Sequence, residues 1–246
     1  MIQPIILAAG KGTRMESSSP KTLHKVRGKT MLERVFQAVH NAKNCKSPFV
    51  VVGHGAEEIR AMFGSAYQYI LQTEITGTAS AVLACMPYIT EDTRSILILY
   101  GDHPLISSGA IGQMIGIFEK EKPTLALFTT TVPDFLDWRA SFLYFGRVAR
   151  DINGNVKKIV EYKEATESER AIREINPAIY CVEKKWLMTI LSRITPSRAT
   201  GEYYLTDIVA LARGDGVKIV TVPMLPEEAL GVNTREDITR AELLAT

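Results

Sequence analysis

Residues 7 to 21 concentrate the chemistry of this chain: Leu7-Ala8-Ala9-Gly10-Lys11-Gly12-Thr13-Arg14-Met15, a serine run, then Pro20-Lys21. Glycines let backbone N–H groups approach phosphate oxygens, and cationic side chains such as Lys11, Arg14 and Lys21 neutralise them. The segment follows the apolar run Pro4 to Ala9, which is short enough to be a buried strand. A strand emptying into a glycine-rich, cationic loop is suited to holding a polyphosphate. Two familiar phosphate loops are excluded. A dinucleotide fingerprint needs a third glycine where Met15 stands, and a P-loop needs one where Ile5 stands. This is a nucleotide loop of another type.

A second group of residues could complete such a site. Asp102 ends the run Ile96-Leu97-Ile98-Leu99-Tyr100-Gly101-Asp102. A carboxylate at the open end of a central strand suits Mg²⁺, which takes one or two protein oxygens plus phosphates and water. A turn or helix cap is the bland alternative, and the strand context favours the metal. Gln72 and Thr78 could read uracil, whose carbonyl oxygens and single N–H complement an amide and a hydroxyl and exclude cytosine. Thr78, after Gly77, equally suits a helix cap. Asn233 precedes Thr234 and suits a cap or turn into a last helix. His103 adjoins Asp102, but a lone loop histidine reads first as structural.

These residues must be positioned by an alternating scaffold. Strand-like runs at Pro4–Ala8, Pro48–Val52, Tyr67–Leu71, Ser95–Tyr100 and Thr124–Thr131 are separated by helical patterns at Met31–Ala42, Ala56–Phe63, Thr78–Met86 and Ile111–Lys120. The first helix has a capping box, Thr30-x-x-Glu33, and one apolar face made by Leu32, Val35, Phe36 and Val39. Such alternation predicts an α/β fold: a Rossmann-like, mostly parallel sheet covered by helices on both faces. Ligands in these sheets bind at the carboxyl ends of strands, near a topological switch point. The second half reads differently. Val148–Asp151 and Val156–Glu161 flank Asn153-Gly154, a hairpin signal. A charged helix at Glu167–Arg173, a strand at Glu174–Val182 and helices at Lys184–Ile194, Leu205–Arg213 and Thr234–Leu244 follow. This β-rich half, about 132–246, is expected to form the sugar-binding side of one domain, with about 1–131 as its nucleotide-binding half.

Bulk properties exclude other classes. Lys+Arg of 29 against Asp+Glu of 27 leaves a net charge of +2, so no global basic field for nucleic acid exists. Cys45, Cys85 and Cys181 are far apart and fit no disulfide framework or zinc spacing. Reduced thiols, with no signal peptide and no membrane-length apolar run, lead to the expectation of a cytoplasmic protein without a membrane partner.

The first loop resembles the signature of the nucleotidyltransferases that make nucleoside-diphosphate sugars, Leu-x-x-Gly-x-Gly-Thr-x-Met followed by Pro-Lys. Within that superfamily the chain looks most like the uridylyltransferase domain of bacterial N-acetylglucosamine-1-phosphate uridyltransferases. The resemblance continues through Gln72 with Gly77-Thr78, Tyr100-Gly101-Asp102, Gly146-Arg147-Val148, Glu161, Glu174-Ile175-Asn176, Gly201 to Asp207 and Gly231-Val232-Asn233. It implies Mg²⁺-dependent transfer of UMP from UTP to a sugar 1-phosphate, with release of pyrophosphate. By the resemblance Arg14 faces the leaving pyrophosphate and Lys21 the α-phosphate, while Leu7, Ala8, Ala9 and Gly10 line uracil and ribose. Tyr100, Gly146, Glu161 and Asn176 are implied on the sugar side, and Asn233 joins Asp102 as the second metal ligand. The chain departs from the pattern at Pro177-Ala178, where Thr-Gly is usual, and at Phe145, where tyrosine is common. Both departures bear on the sugar. The readings are therefore uridylyl transfer to N-acetylglucosamine 1-phosphate, the same chemistry on another sugar 1-phosphate, or a silent nucleotide-sugar sensor. Bifunctional relatives continue into a β-helix that performs acetyl transfer. Residues 1–246 carry no hexapeptide repeats, so no β-helix and no β-helix trimer are expected of them.

Overall fold

The computed structural model describes residues 1–245 except Lys11, Glu16 and Ser18, with the backbone alone at Thr13. Apolar runs with no polar stripe form the centre of the sheet. β1 (Ile2–Leu7) and β4 (Phe49–Val52) are buried at every position, and β6 (Ser95–Tyr100) at all but Tyr100. Burial on both faces is the mark of parallel strands sandwiched between helices. β4 and β6 flank β1 in parallel, and β5 (Gln68–Leu71) lies outside β4. The chain thus moves from β1 outward to β4 and β5, then returns to the other side of β1 as β6. The switch point falls between β1 and β6, whose carboxyl ends carry the glycine-rich loop and Asp102.

Alternation along β1 sends Ile6 and Ala8 into one core and Ile5, Leu7 and Ala9 into the other. The first core is closed by α1 (Met31–Asn41), α2 (Ala56–Phe63), α4 (Ser108–Glu121) and α8 (Arg235–Leu244), and the second by α3 (Thr78–Leu83), α6 (Lys184–Ile190) and α7 (Ile208–Gly214). Thr30 caps α1 by accepting from the Glu33 N–H at 3.1 Å. Its flanking hairpin, β2 (Lys25–Val26) with β3 (Lys29–Thr30), packs against α8.

Among the described residues the main sheet has ten strands: nine run in the order β5-β4-β1-β6-β11 (Tyr180–Glu183)-β7 (Leu125–Thr131)-β10 (Glu174–Asn176)-β8 (Gly146–Arg150)-β9 (Val156–Val160), and the tenth, β12 (Ile219–Pro223), lies beside β7. β7 (Leu125–Thr131) is followed by the expected hairpin of β8 (Gly146–Arg150) and β9 (Val156–Val160), which turns through Gly154 at φ 80°. The charged helix α5 covers only Glu167–Arg170, because the chain from Glu174 is already strand.

The single strand expected over Glu174–Val182 is broken in two. β10 (Glu174–Asn176) pairs with β7 and β8, whereas β11 (Tyr180–Glu183) pairs with β7 and β6. Ile175 opposes Thr130 and Tyr180 opposes Leu127, so two residues are extra on the broken strand. The cause is local: Pro177 supplies no ladder N–H, and Ala178 adopts φ 62°. The break lets one strand close the parallel half at β6 and the antiparallel half at β8. A further strand, β12 (Ile219–Pro223), runs parallel to β7. It was not among the sequence expectations, being half-exposed over most of its length. Among the described residues no helix is long and apolar enough to cross a membrane.

Candidate active site

The loop after β1 is held close to Lys21 by glycine. Gly12 has φ 60°, and a Cβ there would lie 2.7 Å from the Lys21 Cβ, so both backbone conformation and space exclude a side chain. Lys21 then extends to the end of β6. Its ammonium donates to the Asp102 carboxylate and to Asn233 Oδ1, the latter at 3.0 Å. The Arg14 guanidinium donates to the same Asn233 oxygen at 3.0 Å. Four residues from three distant segments meet at one point. The lysine of the loop, Lys11, lies outside the described residues.

Backbone contacts fix the acidic side of this point. Gly101 donates to the Leu7 carbonyl at 3.0 Å, and Val232 donates to the Asp102 carbonyl at 2.8 Å. The Gly231-Val232-Asn233 segment is anchored from behind by Asp237, which is 2% exposed. One Asp237 oxygen accepts from the Asn233 and Thr234 N–H groups at 3.0 Å each, and the other from Arg240 at 2.6 Å. Asn233 is therefore placed by a capping box, Thr234 with Asp237, that begins α8. The box was readable in the sequence; its effect on Asn233 was not.

Burial pushes the Asp102 carboxyl up, but the Lys21 ammonium and the neighbouring His103, with the hydrogen bonds the carboxylate accepts, together outweigh burial and hold the pKa below the usual carboxylate range. His103 is buried and lies between the Tyr100 and Phe145 rings, at 5.8 and 6.3 Å. Burial depresses its pKa, and its contacts with both rings make it a packing wall behind Asp102. A metal fits this arrangement. Asp102 Oδ1 is buried without a hydrogen-bond partner, and Asn233 offers an amide oxygen beside it. No cluster of three or more His, Cys, Asp or Glu able to hold an ion occurs among the described residues. A sparse set of hard oxygens suits Mg²⁺, which completes its shell from water and substrate phosphates.

Two cavities meet here. The first, about 720 Å³, is lined by the expected Leu7, Ala8, Ala9, Gly10, Gly12, Lys21, Gly77, Thr78, Tyr100 and Asp102. Gln72, expected to read the base, is not among the lining residues: it is buried just past β5, its backbone N–H donates to the Val52 carbonyl at 2.8 Å, and its amide donates to the Gly77 carbonyl at 3.0 Å and the Ser80 hydroxyl at 2.9 Å. Gly77 is required: a Cβ would fall 2.4 Å from the Tyr203 carbonyl oxygen, at φ 137°. Thr78 is the first residue of α3 rather than its cap, and its hydroxyl accepts from the Leu205 N–H at 2.9 Å. The Gly201–Asp207 stretch, which entered the sequence reading without a role, thus latches onto the Thr76–Ala79 loop.

The second cavity, about 1030 Å³, is lined by Arg14, Asn233, Glu161 and Phe145 among others, and Glu202 lines both cavities. Glu161 accepts from the Thr206 hydroxyl at 2.7 Å, and burial raises its pKa. Tyr100, expected on the sugar side, lines the first cavity. Gly146 and Asn176 line neither. A Cβ on Gly146 would lie 2.7 Å from the Ile159 side chain, so its role is close strand packing. Asn176 turns inward: Oδ1 accepts from the Ala178 N–H at 3.1 Å and Nδ2 donates to the Tyr180 hydroxyl. Asp237, Thr206 and Glu202 were missed by sequence reasoning: Asp237 stands in a readable Thr234-x-x-Asp237 spacing, but its hold on Asn233, like the Thr206 contact to Glu161 and the place of Glu202 between the two cavities, is evident only in the fold.

Residues 4–183 match the MobA-like NTP transferase domain, and the chain belongs to that family. It is 39% identical over 242 residues to the bifunctional protein GlmU of Brevibacillus brevis, covering 98% of this chain and 51% of that protein. It is 40% identical over 239 residues to the bifunctional protein GlmU of Streptococcus pyogenes, covering 97% of this chain and 50% of that one. The chain spans about half the length of these relatives. Among solved structures, a Bacillus anthracis protein described as a glucose-1-phosphate thymidylyltransferase, in complex with a sucrose, superposes with TM-score 0.78 at 21% identity, covering 100% of this chain and 95% of that one. A UDP-glucose pyrophosphorylase complexed with UDP-glucose gives TM-score 0.76 at 17% identity, covering 99% and 98%. Those two likenesses concern the fold.

Proposed function

We propose that this chain transfers UMP from UTP to N-acetylglucosamine 1-phosphate, giving UDP-N-acetylglucosamine and pyrophosphate, with Mg²⁺ as cofactor. The observation that carries the reading is the convergence of Arg14, Lys21, Asp102 and Asn233 where two cavities meet. The attacking group is already an anionic phosphate oxygen, so neither a protein nucleophile nor a strong base is required. A bond forms between that oxygen and the α-phosphorus as the bond from the α-phosphorus to the bridging oxygen breaks, and the electron pair leaves with pyrophosphate. The protein's task is to bring two repelling anions into line and neutralise the developing charge. Lys21 acts at the α-phosphate and Arg14 at the departing pyrophosphate. Asp102 and Asn233 would hold the metal, which supplies charge neutralisation on the phosphates.

The base preference follows from the orientation of Gln72. A carbonyl cannot donate, so the amide nitrogen must face Gly77, and the side-chain oxygen remains as an acceptor. An acceptor suits the imide N–H of uracil and opposes the ring nitrogen of cytosine. A second reading keeps the chemistry and changes the sugar. It is favoured by Asn176, whose amide is turned inward to Ala178 and Tyr180 and lines neither cavity, so that it offers nothing to an acetamido group. Pyrophosphate release over a panel of nucleoside triphosphates and sugar 1-phosphates tests both. Release is expected with UTP and N-acetylglucosamine 1-phosphate. A faster rate with another sugar 1-phosphate selects the second reading, and binding without release under any pairing overturns both.

A further inference from the structure

Arg147 is the largest fully buried side chain, at 0% exposure. A buried cation normally has a carboxylate partner, yet no ion pair to Arg147 exists among the described residues. Its guanidinium instead donates to carbonyls: Phe142 at 3.3 Å and Phe145 through one nitrogen, Leu143 at 2.8 Å through another, and Arg170 at 3.2 Å through Nε. The Phe135 ring lies 4.6 Å and the Tyr162 ring 5.9 Å from its centre. Three of the four carbonyls belong to one short stretch, Phe142 to Phe145. With those carbonyls turned inward, Leu143, Tyr144 and Phe145 line the second cavity, joined by Tyr162 and Phe135. Tyr144 meets Tyr162 edge to face at 5.2 Å, and Phe145 stacks on His103, the residue behind Asp102.

We infer that Arg147 is a positioning residue for the sugar-phosphate side of the site. It holds the Phe142–Phe145 wall and the Tyr162 ring in place and contributes a positive charge, unpaired with any carboxylate, beneath the cavity that would receive the anionic sugar 1-phosphate. The inference rests on the proposed transferase reading. It adds a division of labour: the wall fastened by Arg147 governs the sugar phosphate, while the base-side loop around Gln72 and Gly77 is fastened by Tyr203 and Leu205 and not by Arg147. The alternative is a stability role alone. Such a role would weaken both substrates together.

Arg147→Lys and Arg147→Met separate these cases. The lysine keeps the charge but cannot reach four carbonyls at once; the methionine keeps only bulk. The measurements are thermal melting, KM for each substrate in pyrophosphate release, and amide hydrogen exchange over residues 137–146. Arg147→Lys is expected to raise KM for the sugar 1-phosphate about tenfold while leaving KM for UTP within about twofold, with kcat changing less than either variant's sugar KM. Arg147→Met is expected to be worse on the same axis, and exchange over 137–146 is expected to quicken in both. Equal rises in both KM values, or no change in either, overturn the inference. If Arg147→Met fails to fold, the lysine variant decides. If the wild-type chain releases pyrophosphate with no pair, the transferase reading fails and the substrate role of Arg147 with it. Unchanged exchange in an otherwise active lysine variant refutes the positioning role separately.

Discussion

Asp237→Ala tests whether Asn233 is a ligand placed by a helix cap. The Asp237 carboxylate accepts two backbone N–H groups and one guanidinium N–H. Each hydrogen bond to a charged group contributes about 1.5–3 kcal/mol when fully buried. Asn233 and Thr234 are only half-buried, however, so water can replace part of the loss. A total near 3 kcal/mol is therefore expected, which for a chain of this size lowers Tm by roughly 6–12 °C. The functional effect is separate from that loss. Asn233 would keep its contacts to Lys21 and Arg14 but lose the backbone anchor that holds it opposite Asp102. If that anchor is worth about 1.4 kcal/mol to the metal, the Mg²⁺ concentration for half-maximal rate rises about tenfold. The assay is a Mg²⁺ titration of pyrophosphate release below the lowered Tm, with Asn233→Ala as the reference variant. Asn233→Ala should reproduce the Mg²⁺ shift with little loss of Tm. A lowered Tm with an unchanged Mg²⁺ requirement would show that Asp237 staples α8 and nothing more. No Mg²⁺ shift in Asn233→Ala would remove Asn233 from the metal.

Asp102→Ala should nearly abolish turnover in a folded protein, and near-wild-type rates at saturating Mg²⁺ would refute the metal assignment. Lys21→Ala should lose mainly kcat, because charge on the α-phosphate grows in the transition state; a pure KM effect in steady-state kinetics would contradict this. UTP should be used well ahead of CTP, and Gln72→Ala should narrow that gap; equal rates for the two nucleotides in the unaltered protein would mean that Gln72 does not read the base. Ala178→Gly should raise stability by about 1 kcal/mol in denaturant unfolding, since φ 62° disfavours an alanine; a decrease would mean that the looser unfolded chain outweighs the relieved strain.

The scaffold of the first half was legible because each element there carries its own signal. β6 was read at its observed bounds from an unbroken apolar run, and α2 from helical periodicity. The second half was harder for two physical reasons. At Pro177-Ala178 the apolar pattern continues while the ladder does not, so one strand was read where two pair with different partners. β12 is a half-exposed strand whose partner, β7, is almost a hundred residues earlier, and local pattern holds little of that pairing. Site residues divide the same way. Arg14, Lys21 and Asp102 could be found from types and spacing, and the fold brings these three together at Asn233. Asn176 and Gly146 could not be judged, because whether a polar or small residue faces a cavity depends on neighbours far along the chain.

The sparseness of the acidic set is itself a consequence of the proposed chemistry. At the convergence point two cations, Lys21 and Arg14, face one carboxylate, Asp102, with a neutral amide between them. Both proposed reactants are anions, and like unit charges 4 Å apart repel by about 4 kcal/mol in a partly screened site. A metal site built from three carboxylates would bind the ion tightly alone and then oppose the arrival of both phosphates. One carboxylate and one amide leave the local charge positive before substrate arrives and require the triphosphate itself to complete the metal's shell. Replacing Asn233 by aspartate would make that trade visible: metal alone should bind more tightly, while KM for UTP and for the sugar phosphate should both rise. Tighter metal binding with unchanged or improved KM for both substrates would show that charge balance is not what limits the acidic set.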